Sequence, residues 1–459
     1  MVRKSAWEKY DSQAAALADK FALEYRAFLD QGKTERECVE IISAAAEAAG
    51  FTDLEKALKE GRRLQPGDRV YRSWMNKSIL MFIVGSRPLS EGMQILGAHI
   101  DSPRIDLKQN PLYEEDGLAY LDTQYYGGIK KYQWVALPLA LHGVVVRLDG
   151  SVLKVSIGER EDDPVFCISD LLPHLAQEQI KKDGNSIIEG ESLNVIIGGR
   201  PLPETEKEPV KAAVLRLLKD QYNIEEEDFI SAELELVPAG KSRDMGFDRS
   251  MILGYGHDDR VCAYPSMRAV LDFEGTPERT LCAILTDKEE IGSVGATGMR
   301  SHYFENVVSE LYRCVDDYCE FGVKQTLSGS RMLSSDVSAA FDPNFASAFE
   351  KNNAAYLGCG VCFNKYTGGR GKSSSSDANA EFIGSLRRMM HDAGITYQFS
   401  ELGKVDLGGG GTIAYMCAKY CMNVIDCGVP VLSMHAPWEV ISKVDLYEAY
   451  RCYCAFLRA

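Results

Sequence analysis

The chain has 459 residues, of which 45% are hydrophobic and 26% are charged, the balance of an ordinary globular protein. This length exceeds one simple core and predicts two domains, or one large domain that carries an insertion. The net charge of −16 excludes general binding to nucleic acid or to an anionic membrane, because both require a basic surface.

The first segment, MVRKSAWEKYDSQAAALADKF, carries charges every few residues and lacks the apolar core of a secretion signal. No later stretch approaches the roughly 20 apolar residues that span a bilayer. We therefore expect a cytoplasmic protein. The 13 cysteines are best interpreted as buried thiols, which are typical of that compartment. Cys359 and Cys362 form a CxxC pair, but no second pair and no nearby histidine stand at the spacing of a zinc site.

Two helices and two buried strands are predicted in the N-terminal part of the chain. The first helix covers residues 5–29, and the second covers 34–50 with a capping box at its start. Nearly continuous apolar runs at 78–84 and 94–98 predict strands that are covered on both faces, as in an α/β sheet.

The pattern changes after residue 107, where helical periodicity fades and turns with Gly or Pro become frequent. The alternating run GVVVRLDGSVLKVSI around Asp149-Gly150 indicates a β-hairpin. The highly charged residues 201–228 indicate an exposed helix-and-loop region. We therefore predict a mostly β domain, residues 107–242, inserted between two parts of an α/β domain, residues 1–106 and 243–459.

The α/β pattern returns after the insertion. The apolar run TLCAILT at 280–286 predicts a buried strand that leads into DKEEIGS. Another strand is predicted at 429–434, ending at His435, and a final helix is predicted after Ser442.

Histidines and carboxylates follow several of these strands. His99 and His435, two of only seven histidines, come directly after apolar runs, and open α/β sheets form ligand sites at strand carboxyl ends. In an extended segment His99 and Asp101 share one side, so Asp101 can hold the ring of a metal-bound His99. A lone histidine at such a position is more often structural, so the acidic residues nearby decide the interpretation.

Three acidic groups complete the pattern. Asp258-Asp259 is either a solvated turn or a pair that metal ions neutralise, with Asp258 bridging two ions. Glu289-Glu290 follows a buried strand; such pairs are common on surfaces, but neighbouring glutamates can also divide the roles of general base and metal ligand. Asp336 is a single carboxylate after a short apolar segment.

In chain order the pattern is HxD, D, EE, D and H, which suits a site for two divalent metal ions. His99 and Glu290 would bind one ion, Asp336 and His435 the other, and Asp258 both. Imidazole and carboxylate ligands suit zinc, and also cobalt or manganese.

These motifs resemble the aspartyl aminopeptidase family of cocatalytic dizinc aminopeptidases. The resemblance spans nearly the whole chain and rests on GAHIDSP at 97–103, HDDR at 257–260, DKEEIGS at 287–293, SSDVSAA at 334–340 and VPVLSMH at 429–435. It implies a three-layer α/β/α metallopeptidase domain with an inserted, mostly β dimerisation domain. The chain departs from the family at Asp259, where Asn is common, and in NKYTGGRGK at 364–372, where many members carry a longer polar motif.

The resemblance implies an enzyme that removes N-terminal residues, with acidic ones preferred, from peptides. Two divalent ions would be held by His99, Asp258, Glu290, Asp336 and His435. Asp101 would orient the first histidine, and Glu289 would deprotonate the bridging water and pass the proton to the leaving amine.

The family also implies an assembly, since its inserted domain mediates dimerisation and its members form tetrahedral dodecamers. The segment LPHLA at 172–176 resembles one that lends a histidine to the active site of a neighbouring subunit. His174 is therefore a candidate for contact with the substrate.

Candidate substrate contacts lie in two loops. Lys365, Arg370 or Lys372 would pair an acidic substrate side chain, and a solvated basic loop is the alternative. Gly410 and Thr412 lie in a segment that resembles the family's Gly-Thr segment, where glycine lets the backbone approach substrate or metal closely.

Two other functions remain open at the level of sequence. The same two-metal scaffold could act on another amide, as a deacylase or carboxypeptidase. A relic site could instead serve a non-catalytic, metal-stabilised assembly protein. The motif order and the large insertion favour the aminopeptidase, and the complete set of ligands and base argues against a relic.

Overall fold

The structure, a computed structural model, describes residues 4–373 and 375–459. Within these ranges the chain forms two compact units. The first comprises the chain up to Asp101, Arg243–Met434 and Glu439–Ala459; the second comprises Ser102–Ser242 and His435–Trp438. None of the described helices is long and apolar enough to cross a lipid bilayer.

The helices and strands are numbered in chain order. The helices are α1 (Ser12–Gln31), α2 (Glu35–Ala48), α3 (Leu54–Lys59), α4 (Pro209–Leu217), α5 (His257–Leu271), α6 (Tyr303–Val315), α7 (Glu320–Gly329), α8 (Ala380–Asp392), α9 (Ala414–Ala418) and α10 (Lys443–Leu457). The strands are β1 (Thr52–Asp53), β2 (Arg69–Trp74), β3 (Ser78–Ile83), β4 (Met93–His99), β5 (Arg104–Glu115), β6 (Leu118–Tyr126), β7 (Leu139–Val146), β8 (Val152–Ile157), β9 (Val195–Gly198), β10 (Ala232–Pro238), β11 (Arg243–Met245), β12 (Met251–Gly254), β13 (Thr280–Thr286), β14 (Arg331–Ser334), β15 (Ser338–Ala339), β16 (Val361–Asn364), β17 (Tyr397–Phe399), β18 (Asn423–Gly428), β19 (Pro430–Leu432) and β20 (Glu439–Ser442).

The first unit is built on a large mixed sheet. Its described residues form nine strands in the order β1-β2-β3-β13-β4-β14-β18-β16-β17. The central strands β13, β4, β14 and β18 are parallel to their neighbours in this block, whereas β3 and β16 run antiparallel to it on either side. The carboxyl ends of the four central strands therefore meet at one edge.

Both faces of this sheet are covered, as the continuous apolar runs predict. Along β3, Ile79, Met81 and Ile83 pack into a core with residues of α1, α2, α5, α8 and α10. The alternating residues Leu80 and Phe82 pack into a second core with residues of α3, α6, α7 and α9. The unit is thus a three-layer α/β/α structure, which confirms the predicted fold class.

The N-terminal predictions hold except at the first helix. Helix α1 begins at Ser12, because the Asp11 carboxylate accepts a hydrogen bond from the backbone N–H of Ala14 and caps the helix there. The preceding residues Ala6–Lys9 form a separate 3₁₀ turn. Helix α2 begins after Thr34 with the predicted capping box.

The strand predicted at 429–434 is shorter than expected. Strand β19 ends at Leu432, because Ser433 and His435 have φ values of 58° and 65°, which an extended strand cannot contain. In the described part of the first unit β19 belongs to a second, five-stranded sheet, β11-β12-β20-β19-β15. The pattern suggested that His435 follows a strand of the α/β sheet, but in the structure it follows a strand of this smaller sheet.

The second unit is mostly β. Within the described chain it contains a six-stranded antiparallel sheet, β8-β7-β10-β5-β6-β9. Strands β7 and β8 form the predicted hairpin, closed by a hydrogen bond from Arg147 N to Ser151 O and turned at Gly150, whose φ is 83°. The charged stretch 201–228 contains α4, as expected of a helix-and-loop region.

Candidate metal centre

The parallel strands of the first unit bring the acidic motifs beside His99. His99 is the last residue of β4 and pairs in register with Thr286, the last residue of β13, from which the chain continues to Glu289 and Glu290. On the other side of β4, Gly97 pairs with Ser334 of β14, two residues before Asp336. The motifs thus converge because they follow adjacent strand ends.

His99 is held on both ring nitrogens and is only 2% exposed. Its Nε2 lies 3.1 Å from Asp258 Oδ1, and its Nδ1 lies 2.9 Å from the carbonyl oxygen of Asp101 and 3.3 Å from Asp101 Oδ1. Burial lowers the pKa of His99, but the hydrogen bonds to Asp101 and Asp258 outweigh burial and raise this pKa well above its usual value.

The Asp101 carboxylate also fixes the turn that carries the two glutamates. It accepts hydrogen bonds from Glu289 N at 3.1 Å and from Glu290 N at 3.2 Å. These residues begin a 3₁₀ turn, Glu289–Ile291, that is flanked by positive φ values at Lys288 and Gly292. Asp101 is fully buried, so one carboxylate links the His99 ring to the backbone of both glutamates.

Asp258 and Asp259 lie at the start of α5, in a short non-helical stretch joined by a cis peptide bond. Asp258 N donates to Glu439 Oε2 at 3.0 Å, and His99 N donates to Asp259 Oδ2 at 3.2 Å. Burial raises the pKa of Asp259 well above its usual range, and the Asp258 charge raises it further. Glu439 is a site residue that sequence reasoning missed, since no motif marks it.

The described residues contain three groups whose potential ligand atoms all lie within 4.8 Å of one another. These groups are His99, Glu289 and Asp336; His99, Asp258 and Glu290; and Asp258, Asp259 and Asp336. Burial raises the pKa of Asp336 well above its usual value, and the neighbouring Glu289 carboxylate adds to the effect. Several carboxylates in a buried space with an imidazole form a donor set that fits divalent cations, which would neutralise their charge.

The two remaining predicted histidines belong to the second unit. His435 is half-buried, and its Nδ1 lies 2.9 Å from the carbonyl oxygen of Gly128. His174 is exposed within an irregular segment. Four of the five predicted ligands are therefore clustered within the first unit, and the fifth lies in the other unit.

The predicted substrate residues lie on two loops of the first unit. Lys365 is exposed, and the Lys372 ammonium is 3.0 Å from Asp377 Oδ2 and 3.9 Å from the centre of the Tyr366 ring. Arg370 lines an open cleft of about 480 Å³ together with residues of the second loop. The Lys372 charge is thus already paired, whereas Arg370 is one of the residues that line a cleft.

The second loop is shaped by contacts with the chain itself. A Cβ atom at Gly408 would overlap the Leu402 carbonyl oxygen, and one at Gly409 would overlap that of Gly368. A Cβ atom at Gly410 would make only an ordinary contact of 3.7 Å with Leu402. Crowding by the chain's own backbone therefore accounts for glycine at 408 and 409, and the predicted close approach to substrate or metal is not needed to explain them.

A three-layer α/β unit that gathers a histidine and several carboxylates at its parallel strand ends has the architecture of an α/β metallopeptidase. The family model described as Aminopeptidase I zinc metalloprotease (M18) matches residues 28–457. A probable M18 family aminopeptidase 1 of Clostridium acetobutylicum is 55% identical over 457 residues, which are 99% of this chain and 98% of the relative. The chain belongs to the M18 family and is a metal-dependent aminopeptidase, a hydrolase of peptide bonds.

Solved structures agree with this assignment. The M18 aminopeptidase of Thermotoga maritima matches with a TM-score of 0.94 and 41% identity, over 100% of this chain and 99% of that one. Aminopeptidase I of Clostridium acetobutylicum matches with a TM-score of 0.93 and 52% identity, over 100% of both chains. The mApe1 dodecamer of S. cerevisiae has a similar fold, with a TM-score of 0.77 and 19% identity over 95% of both chains.

Proposed function

We propose that this aminopeptidase works with two divalent ions, zinc in the first place, with cobalt and manganese as alternatives. Their ligands would be His99, Asp258, Glu290, Asp336 and His435. The observation that carries the proposal is the clustering of four of these side chains: His99, Glu290 and Asp336 follow adjacent strand ends, and Asp258 joins them from the start of α5. The family description as a zinc metalloprotease supports zinc, and the chain pattern supports His435 as the fifth ligand.

The protein side chains have separate tasks in this proposal. When bound, the ions would lower the pKa of water and polarise the scissile carbonyl. Glu289 is the general base: its carboxylate lies within 4.8 Å of the ligand atoms of His99 and Asp336, yet it is not needed to complete the ligand set. Glu289 then passes the proton to the leaving amine, and Asp101 holds the backbone of Glu289 while this occurs.

We further propose a preference for peptides with an acidic N-terminal residue. Such a preference needs a cation that can pair a carboxylate, and Arg370 is the best of the three candidates. Arg370 is among the residues that line the cleft and Lys365 is not, whereas the Lys372 ammonium is paired with Asp377. Gly410 and Thr412 would contact the substrate on either side of Gly411, which lines the cleft.

The enzyme would act as a homo-oligomer, a tetrahedral dodecamer built from dimers through residues 107–242. Support comes from apolar side chains around His174 that are between 50% and 68% exposed, namely Leu171, Leu172, Leu175 and Ile180. Further support is that mApe1 of S. cerevisiae, a protein of similar fold, forms a dodecamer. In that assembly His174 would reach the active site of another subunit.

A cytoplasmic location is also proposed. Eight of the 13 cysteines are buried thiols in the described structure. Thiols of this kind are typical of a reducing compartment.

Metal content and substrate panels test the proposal. The zinc-loaded enzyme should contain two ions per chain by mass spectrometry, and His435→Ala should lose one of them. Peptides with N-terminal Asp or Glu should be cleaved faster than those with Leu, and Arg370→Ala should remove the difference while Lys372→Ala, the matched control, should not. One ion per chain would overturn the two-metal site, and an unchanged preference in Arg370→Ala would overturn the role of Arg370.

A further inference from the structure

Asp426 is a buried carboxylate that does not belong to the metal cluster, the group of potential metal ligands around His99. It lies in β18, is 3% exposed, and pairs in register with Ser334 of β14 on one side and Asn364 of β16 on the other. Burying an ionisable group is costly unless it is hydrogen-bonded. Its Oδ1 atom accepts a hydrogen bond of 2.5 Å from the hydroxyl of Thr412.

Thr412 ends the glycine-rich stretch that walls the cleft. Its Oγ1 also accepts a hydrogen bond from Ala414 N at 3.3 Å, at the beginning of α9. The glycine-rich stretch is tied in turn to the opposite loop, because Gly368 N donates to Gly410 O at 2.7 Å. A continuous set of contacts therefore runs from Asp426 through Thr412 to both loops that line the cleft.

The hydrogen bond between Thr412 and Asp426, called the anchor below, lies next to the strands that lead to the candidate metal site and to the Arg370 loop. The residue beside Asp426 in β14 is Ser334, two residues before Asp336 of the metal cluster, and the residue beside it in β16 is Asn364, from which the Arg370 loop departs. The anchor thus connects the strand ends that carry the metal cluster with the loops that carry Arg370 and the glycine-rich wall.

We propose that Asp426 is a positioning residue: through Thr412 it holds the glycine-rich wall of the cleft in the conformation that binds the peptide substrate. The proposal rests on the proposed function in taking this cleft as the substrate site. Because Asp426 reaches the substrate only through the loop, losing the anchor weakens substrate binding and leaves the chemical step and the metal ions in place.

Steady-state kinetics test the proposal. Thr412→Val removes the hydroxyl at nearly constant volume and should raise KM about tenfold, the loss expected for one buried hydrogen bond, with kcat within about threefold. Asp426→Ala should have the same effect, and the double variant should be no worse than either single one. Thr412→Ser, which restores the hydroxyl, should return KM to the wild-type value.

The matched control is Thr326→Val, which removes another buried threonine hydroxyl, donated to Gly322 O at 2.9 Å in α7. It should leave KM unchanged even if the melting temperature falls. An unchanged KM in Thr412→Val, a fall in kcat alone, or a loss of metal would overturn the proposal. If Asp426→Ala does not fold, the Thr412 pair of variants still decides.

Limited proteolysis gives a readout that does not depend on peptidase activity. Trypsin sites at Arg370 and Lys404 lie in the two loops, and Lys404 is exposed. In Thr412→Val these sites should be cut several times faster than in wild type, and in Thr326→Val at the wild-type rate. Faster cleavage without any change in KM would show that the loops are anchored as proposed but that the cleft is not the substrate site; unchanged cleavage would refute the anchor itself.

Discussion

The carboxylate of Asp101 accepts a hydrogen bond from the backbone N–H of Glu289 at 3.1 Å, across 188 residues of sequence. The same carboxylate lies beside the Nδ1 atom of His99 and accepts a second backbone hydrogen bond from Glu290. Ring orientation and glutamate position are therefore set by one buried group, so a change at Asp101 should disturb both together.

Replacing Asp101 by Asn should lower kcat and zinc affinity, each by about 10- to 100-fold. The amide offers one acceptor oxygen, whereas the carboxylate receives both backbone N–H groups on separate oxygens. Zinc titration and steady-state kinetics measure the two effects. The matched control is Asp53→Asn, which alters a carboxylate that caps α3 and should change neither quantity. A variant with full zinc affinity and full kcat would contradict the linking role.

Replacing Glu289 by Gln should abolish turnover without loss of metal. The amide cannot accept a proton, so kcat should fall by about 100-fold or more, while the fold and the ligand set are preserved. Activity assays with metal analysis of the same sample provide the check, with the exposed Glu381→Gln as control. Turnover within about threefold of wild type, a barrier change below roughly 1 kcal/mol, would refute the assignment of the base.

Removing the metal should cost both activity and stability. Without cations, the buried Asp258 and Asp259 and the partly buried Asp336 remain as neighbouring carboxylates. Exhaustive chelation should therefore abolish peptide hydrolysis and lower the melting temperature by about 5 °C or more, because ligands that bind only the folded state stabilise it. Added zinc should reverse both changes. Hydrolysis that survives chelation would contradict a metal-dependent reaction.

The convergence of three predicted ligands could be expected from the sequence, because each of them follows an apolar strand that can be recognised by pattern. His99, Glu290 and Asp336 come together once β4, β13 and β14 are parallel neighbours. Contacts between distant segments are not encoded in any local pattern. The hydrogen bond from Asp258 N to Glu439 and the one from Thr412 to Asp426 join residues that no motif connects, so only the folded chain reveals them.

Turn conformations are the other limit of sequence reasoning. The apolar run before His435 continues past Leu432, yet the positive φ of Ser433 ends the strand there. Serine does not favour a positive φ as glycine does, so nothing in the sequence indicates that strand β19 ends at Leu432.

The exposed apolar side chains near His174 predict a defect in assembly on substitution. Leu175 is 68% exposed, and Leu175→Asp would place a charge in the contact proposed between subunits. Light scattering should show particles smaller than wild type, and peptide hydrolysis should fall with them. The control is Leu23→Asp, a 64% exposed leucine on α1, which should leave particle mass unchanged. A wild-type mass for Leu175→Asp would argue against this interface.

Replacing Asp426 by Asn should change the pH dependence of stability. Burial raises the pKa of Asp426 to about 7, although the Thr412 hydrogen bond opposes the shift, whereas the unfolded value is 3.8. Between about pH 4 and pH 7 the folded state keeps a proton that the unfolded state has lost, so this group makes folding less favourable as pH rises. The full effect is on the order of 4 kcal/mol above pH 7 and is absent below pH 4.

The Asn variant lacks this titration and retains an acceptor for Thr412. Its melting temperature relative to wild type should therefore be higher at pH 8 than at pH 5. Cys417 is a titratable neighbour whose pKa is affected by the Asp426 charge. Burial raises the pKa of Cys417 to about 12, so its thiol stays neutral throughout this range. The exposed Asp392→Asn should show no such trend. If the difference between Asp426→Asn and wild type is the same at both pH values, Asp426 does not titrate in this window, and its burial must be compensated by contacts stronger than the single hydroxyl of Thr412.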